Sequence, residues 1–226
     1  MLTRLVVFDL DGTLIDSLGD IGDAMNAVLS DLGHPVHPRD SYRFLIGDGL
    51  EILVHRALPP EIIEETNIEE VVGLTRQEYS TRWTATTRPF PEVVELLGGL
   101  KARGIQTAVL SNKPDFATRA IVGDLFADHA FDVVRGARED VPLKPDPTAF
   151  STIISDLGVP AKQTVFVGDT AVDMETGVNA GALTVGVTWG FREADELVAH
   201  GADHIINSPL EILEILGDAE PGHTVD

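Results

Sequence analysis

Short runs rich in Val and Ile punctuate this chain: LVVF at 5–8, TAVL at 107–110, DVV at 132–134, TVFV at 164–167, LTVGV at 183–187 and HII at 204–206. The apolar positions are consecutive rather than alternating, so both faces of each strand are expected to be covered. Between the runs the pattern shifts to helical spacing, as in PEVVELLGGLKARG (91–104) and DPTAFSTIISDLG (146–158), each closed by a glycine. Strands and helices interleaved in this way predict an α/β three-layer sandwich built on a mainly parallel, Rossmann-like sheet.

Residues 17–84 break the rhythm. SLGDIGDAMNAVLSDLG (17–33), DSYRFLIG (40–47), GLEILVHRAL (49–58) and EIIEETNIEEVVGLTRQEYSTRW (61–83) all read as helix, with no strand between them. A helical insert after the first strand predicts a cap subdomain at 17–84 and an α/β core made of 1–16 and 85–216. The chain is expected to return through an extended hinge at TTRPFPE (86–92), and the polar tail 217–226 is expected to be mobile.

Composition narrows the function classes. Lys+Arg number 16 against 37 Asp+Glu, a formal charge of −21, which argues against nucleic-acid binding and against docking on anionic lipid. There are no cysteines, hence no disulfide framework and no thiolate chemistry. The N-terminal apolar run is too short for a signal peptide, and no stretch approaches a membrane span, so a soluble cytoplasmic protein, monomer or homodimer, is the expectation. Lysine occurs only at 101, 113, 144 and 162.

Against that background, FDLDGTLIDS (8–17) sets Asp9 and Asp11 at the carboxyl end of the first strand, where i and i+2 side chains share one side. Three further polar clusters fall at the same end of other strands: Ser111–Asn112–Lys113 after TAVL, LKPDP (143–147) with Lys144, and GDTAVD (168–173) with Asp169 and Asp173. Asp9, Asp169 and Asp173 form a hard oxygen set suited to Mg²⁺. Lys113 and Lys144 bring positive charge to an anionic substrate, Ser111 and Asn112 offer hydrogen-bond donors, and Gly12 with the neighbouring Thr13 lets backbone approach an oxyanion. These are parts for phosphoryl transfer.

The set DLDGT at 9–13, Ser111–Asn112, Lys144 in KPDP and GDTAVD at 168–173 resembles the phosphatases of the haloacid dehalogenase superfamily, over nearly the whole chain. The resemblance implies that Asp9 is a nucleophile forming an aspartyl-phosphate. It implies that Asp11 is the acid and base and also a Mg²⁺ ligand through its carbonyl, that Asp169 is a direct metal ligand, and that Asp173 is a ligand or orients a metal-bound water. It further implies that Ser111, Asn112 and Lys144 hold the phosphoryl group. A second aspartate at 11 points to phosphate esters or anhydrides. The inserted helices resemble a substrate-selecting cap, with Arg43 and Gly47 near its specificity loop. The wider pattern, including RFLIGDGLEIL and SNKPDFAT, is most similar to bacterial phosphoglycolate phosphatases. The expected substrate is therefore a small phosphorylated metabolite, 2-phosphoglycolate favoured; pyrophosphate, a sugar phosphate, a nucleotide, a phosphomutase reaction and a non-catalytic phosphate binder are the alternatives.

Simpler readings compete at each position. Asp-Gly is a common turn, and GDTAVD, Ser111 and Asn112 could be helix caps. Lys113 reads equally as site rim or surface, Arg43 as a solvated helical arginine, His55 as a surface residue of the insert, and Trp83 and Trp189 as packing residues.

Overall fold

All four residues of the first strand, β1 (Leu5–Phe8), are at most 1% exposed, which requires cover on both sides. In the computed structural model, which describes residues 3–216, two layers of helices supply it. Leu5 and Val7 enter one cluster with Leu110, Phe150, Ile153 and Phe166, while Val6 and Phe8 enter another with Leu96, Leu100, Val109, Ile121 and Val167. The period-two pleat of a strand thus feeds two separate cores.

From β1 the chain runs through β2 (Ile15–Asp16) into α1 (Leu18–Asp31), a 3-10 turn (Arg39–Phe44), α2 (Leu50–Ala57), a second 3-10 turn (Pro60–Glu65) and α3 (Ile68–Ser80). It returns by β3 (Arg88–Pro89), which pairs antiparallel with β2. Alternation follows: α4 (Val93–Ala102), β4 (Gln106–Pro114), α5 (Asp115–Leu125), β5 (Val133–Ala137), α6 (Thr148–Asp156), a 3-10 turn (Ala161–Gln163), β6 (Thr164–Gly168), α7 (Ala171–Ala180), β7 (Leu183–Val187), α8 (Ala194–Ala199), β8 (His204–Ile206) and α9 (Glu211–Ile215).

Six strands pair in parallel in the order β5-β4-β1-β6-β7-β8. The chain builds outward from β1 through β4 and β5, then crosses to the other side for β6, β7 and β8. The reversal therefore lies beside β1, and the crevice at the strands' carboxyl ends is where such sheets bind ligands. Among the described residues no helix is long and apolar enough to cross a membrane.

The expected α/β class and parallel sheet are what the chain adopts, with local differences. β4 does not stop at Leu110; it runs on to Pro114 through a register shift and takes up Ser111, Asn112 and Lys113. The stretch 61–83 is not one helix. A 3-10 turn ends at Glu65, Thr66 is extended, and the Asn67 side chain caps α3 by accepting from the Glu70 N–H at 3.4 Å. The stretch 40–47 is likewise a 3-10 turn rather than an α-helix. The tail 217–226 lies outside the described residues.

Between β2 and β3 every element is helical, and these helices hold a cluster of their own. Met25, Leu29, Tyr42, Leu53, Val54 and Val71 pack together, joined from the sheet side by Phe191. One buried carboxylate ties the two chain crossings. Asp20, in the first turn of α1, accepts from the Thr86 N–H and hydroxyl (3.0 and 2.6 Å) and from the Thr87 N–H and hydroxyl (2.9 and 2.7 Å). Burial pushes this carboxyl up, but the threonine hydrogen bonds outweigh it and hold Asp20 below the usual carboxylate value.

A group with a lowered folded pKa stabilises above its unfolded pKa and loses that contribution as pH falls through the folded one. Asp20→Asn is therefore expected to cost about 1.5–3 kcal/mol at neutral pH, the worth of hydrogen bonds to a charged acceptor. In urea melts at a series of pH values, the gap between the two proteins is expected to close below about pH 4.

Candidate active site

Asp9 follows directly on β1, and its N–H donates to the Val167 carbonyl of β6 at 2.9 Å, which draws the end of β1 against the end of β6. Asp169 follows Gly168 there, and Asp173 lies in the first turn of α7. Thr170 and Asp173 form a reciprocal cap: Asp173 Oδ2 accepts from the Thr170 N–H and hydroxyl at 3.1 and 2.7 Å. Asp173 Oδ1 is left facing Lys144. Asp169 is held from both sides, by the Thr13 hydroxyl on Oδ1 (3.0 Å) and the Phe191 N–H on Oδ2 (2.8 Å).

Space for Asp169 exists because backbone passes close by. A Cβ on Gly12, which has φ +94°, would stand 2.2 Å from Asp169 Oδ2, and one on Gly190 would stand 2.3 Å from Asp169 Cβ. Gly12 thus makes room for the acid, and its own N–H donates to the Ile15 carbonyl at 2.9 Å.

The charge balance is uneven. Lys144 Nζ donates to Asp9 Oδ1 and Asp173 Oδ1, both at 2.6 Å, and to the Leu110 carbonyl at 3.2 Å. Burial alone would push this ammonium down, yet the attraction of Asp173 and Asp9 raises it, so it stays charged. One ammonium then faces three buried carboxylates, at 6%, 0% and 1% exposure for Asp9, Asp169 and Asp173. Burial and repulsion by Asp173 push Asp9 up to about 7 despite Lys144, and burial with Asp173 and Asp9 raises Asp169 as well. The trio lacks positive charge. Each offers an oxygen within 4.8 Å of the others, a buried hard-donor set that fits a divalent cation.

Asp9 opens onto a cleft between the sheet edge and the helical insert. Asp11 lines it, with both oxygens 2.7 Å from Lys113 Nζ and Oδ1 accepting from the Ser17 hydroxyl at 2.6 Å. Lys113 is therefore no surface residue; its side chain is 6% exposed and its ammonium lies 4.8 Å from the centre of the Tyr79 ring. Burial lowers the Lys113 ammonium, but Asp11 outweighs it and the net displacement is upward.

Other expected site residues take different stations. Ser111 lines the cleft, and its oxygen accepts from the Lys113 N–H at 3.2 Å. Asn112 lines it too but spends its amide on backbone, donating to the Gly47 and Lys144 carbonyls (3.3 and 3.2 Å) and accepting from the Lys144 N–H (2.9 Å). Thr13 is turned away to Asp169 and does not line the cleft. Gly47 lines it; Arg43, half-buried in its 3-10 turn, does not. Trp83, expected only to pack, lines the cleft and meets Phe116 of α5, with ring centres 6.2 Å apart. Trp189 donates to the Thr13 carbonyl at 3.0 Å. His55 is exposed.

Sequence reading missed Arg76 and Tyr79 of α3, both in the cleft wall, because helical periodicity does not say which face of an inserted helix looks into a site.

The model of the haloacid dehalogenase-like hydrolases matches residues 3–181. The chain belongs to that family. Among its relatives, the phosphoglycolate phosphatase of Pseudomonas putida is 30% identical over 99% of this chain and 84% of its own length. The phosphoglycolate phosphatase of Aquifex aeolicus is 32% identical, with 94% and 96% covered. A solved structure from Lactobacillus delbrueckii subsp. bulgaricus superposes with a TM-score of 0.90 at 28% identity, covering 96% of this chain and 100% of that one. Family and relatives together make this hydrolase an enzyme of the phosphatase type.

A ligand that binds only the folded state stabilises it by mass action. A divalent cation at about a hundred times its Kd is expected to add about 2.7 kcal/mol, read as a raised melting temperature. Asp169→Asn is expected to abolish the rise, and Gly12→Ala, whose methyl would displace Asp169, to reduce it.

Proposed function

We propose that this hydrolase cleaves a small phosphate monoester, with 2-phosphoglycolate the favoured substrate, through an aspartyl-phosphate on Asp9. What carries the reading is the division of the two aspartates at the head of the cleft. Asp9 Oδ1 is tied to Lys144, while Oδ2 has no partner among the described residues. Asp11 stands in the cleft wall, oriented by Lys113 and Ser17. Two like residues in unlike settings suit two unlike tasks.

In the first half-reaction Asp9 Oδ2 attacks phosphorus, the ester bond breaks, and the leaving oxygen takes a proton from Asp11. In the second, Asp11 takes a proton from a water that attacks the same phosphorus, the Asp9–phosphorus bond breaks, and phosphate leaves. Lys144 aims the Asp9 carboxylate and favours its charged form, and Ser111, which lines the cleft, would donate to the transferring oxygens. Mg²⁺, the favoured cation, would be held by Asp9, Asp169 and Asp173 with the Asp11 carbonyl, supplying charge neutralisation at the phosphoryl group. Residues 17–84 act as a cap that excludes water while the ester is in place. The names of the relatives support the substrate; the buried aspartates support the mechanism.

Asp9→Asn is expected to lower kcat about a thousandfold or more while leaving the circular-dichroism spectrum and fold intact, since the amide still fits beside Lys144. A fully active variant would exclude the covalent route. Phosphate release from 2-phosphoglycolate, pyrophosphate, sugar phosphates and nucleoside monophosphates, with and without Mg²⁺, ranks the substrates. The highest kcat/KM, dependent on Mg²⁺, is expected for 2-phosphoglycolate.

A further inference from the structure

Among the described residues, four charged ones line the cleft: Asp9, Asp11, Arg76 and Lys113. Three are committed. Lys144 holds Asp9, and Asp11 and Lys113 hold each other through both carboxylate oxygens. Arg76 has no hydrogen bond or ion pair among the described residues, and it is exposed. The wall around it is largely apolar, made by Ile21, Leu53, Trp83 and Phe116 among others.

Arg76 is also well positioned. On α3 it follows Thr75, which is buried and whose hydroxyl donates to the Val71 carbonyl at 2.8 Å and contacts Met25 Sδ at 3.6 Å. Tyr79, three residues on, lies under the Lys113 ammonium. Residues i and i+3 share a helix face, so Arg76 stands about one turn, roughly 5 Å, along the wall from the ring that touches the Lys113–Asp11 pair. The helix is pinned on both sides of it.

A substrate whose phosphoryl group sits at Asp9 and whose other end carries an anion must bring that anion into this apolar wall. An anion that loses water there without gaining a partner is disfavoured. Guanidinium pairs with a carboxylate through two parallel hydrogen bonds and is the side chain suited to offset that cost. We infer that Arg76 is the specificity residue of this cleft, receiving the carboxylate, or another second anionic group, at the end of the substrate remote from the phosphoryl. The inference rests on the phosphomonoester reading above and deepens it. It also predicts discrimination against esters whose leaving group carries no anion, because these leave Arg76 unused.

The test compares 2-phosphoglycolate with p-nitrophenyl phosphate, whose leaving group has no anionic substituent, in the full-length enzyme with Mg²⁺. Arg76→Met is expected to lower kcat/KM for 2-phosphoglycolate about tenfold or more, mainly through KM, since the anion contact is made in ground and transition state alike. It is expected to leave kcat/KM for p-nitrophenyl phosphate and the inhibition constant of inorganic phosphate within about twofold. Arg76→Lys should restore part of the loss. An equal fall on both substrates, or no fall on either, overturns the assignment of Arg76 while leaving the reaction in place. A native enzyme that hydrolyses p-nitrophenyl phosphate but not 2-phosphoglycolate overturns the substrate reading beneath it.

Discussion

The Lys144 ammonium, its side chain 2% exposed, stands between two carboxylates at 2.6 Å each, and the site depends on it. It comes from the long connection between β5 and α6, yet it binds the end of β1, the first turn of α7 and the Leu110 carbonyl of β4. Its backbone is clasped by the Asn112 amide. The end of β1, the first turn of α7 and the middle of β4 are thereby referred to one atom. Removing one member of a buried ion pair leaves the other charge stranded, which costs about 3–5 kcal/mol. Here the stranded groups would be two neighbouring aspartates that already repel each other.

That repulsion gives the site its chemistry. The lysine offsets part of the carboxylate charge, and the remainder is what a hard cation would answer. The fold spends backbone rather than side chains to make this possible. Gly12 and Gly190 let main chain run against Asp169, and Gly168 does the same for Asp173, where a Cβ would stand 2.2 Å from the aspartate Cβ. No larger residue fits at these places without moving an acid, so the glycines belong to the site as fully as the carboxylates do.

Much of this was legible because burial on both faces leaves a continuous apolar signature. LVVF and TVFV could be read as strands of one parallel sheet, with the acids that follow them at the same edge. What could not be read were contacts that look ordinary along the chain. Asp20 in the first turn of α1 reads as a helix-capping acid, and nothing local says that its partners are Thr86 and Thr87. Asn112 and Thr13 carry the side chains of phosphate binders, but their hydrogen bonds here go to protein, those of Asn112 to backbone and that of Thr13 to Asp169. Asn67 split an expected long helix, since a cap competes with helix continuation and the pattern alone does not weigh the two. Arg43 and Arg76 both sit in helical stretches of the sequence, and only the packing of α3 on α1 and α2 decides which one stands in the cleft wall.

The Asp20 clasp bears on how the helical insert can move. Chain enters the insert beside β2 and leaves it beside β3; these two strands pair, and Asp20 fastens Thr86 and Thr87 to the start of α1. A body joined to its base by two separate tethers can slide, tilt or twist. Joined where both tethers are bound together, it has in effect a pivot, and its freedom reduces to rotation about that point. Rotation about it would carry Tyr79, Trp83 and Arg76 along arcs of fixed radius. Any closure about such a pivot would bring the wall back over Asp9 with its registration set at the Asp20 clasp rather than by the substrate.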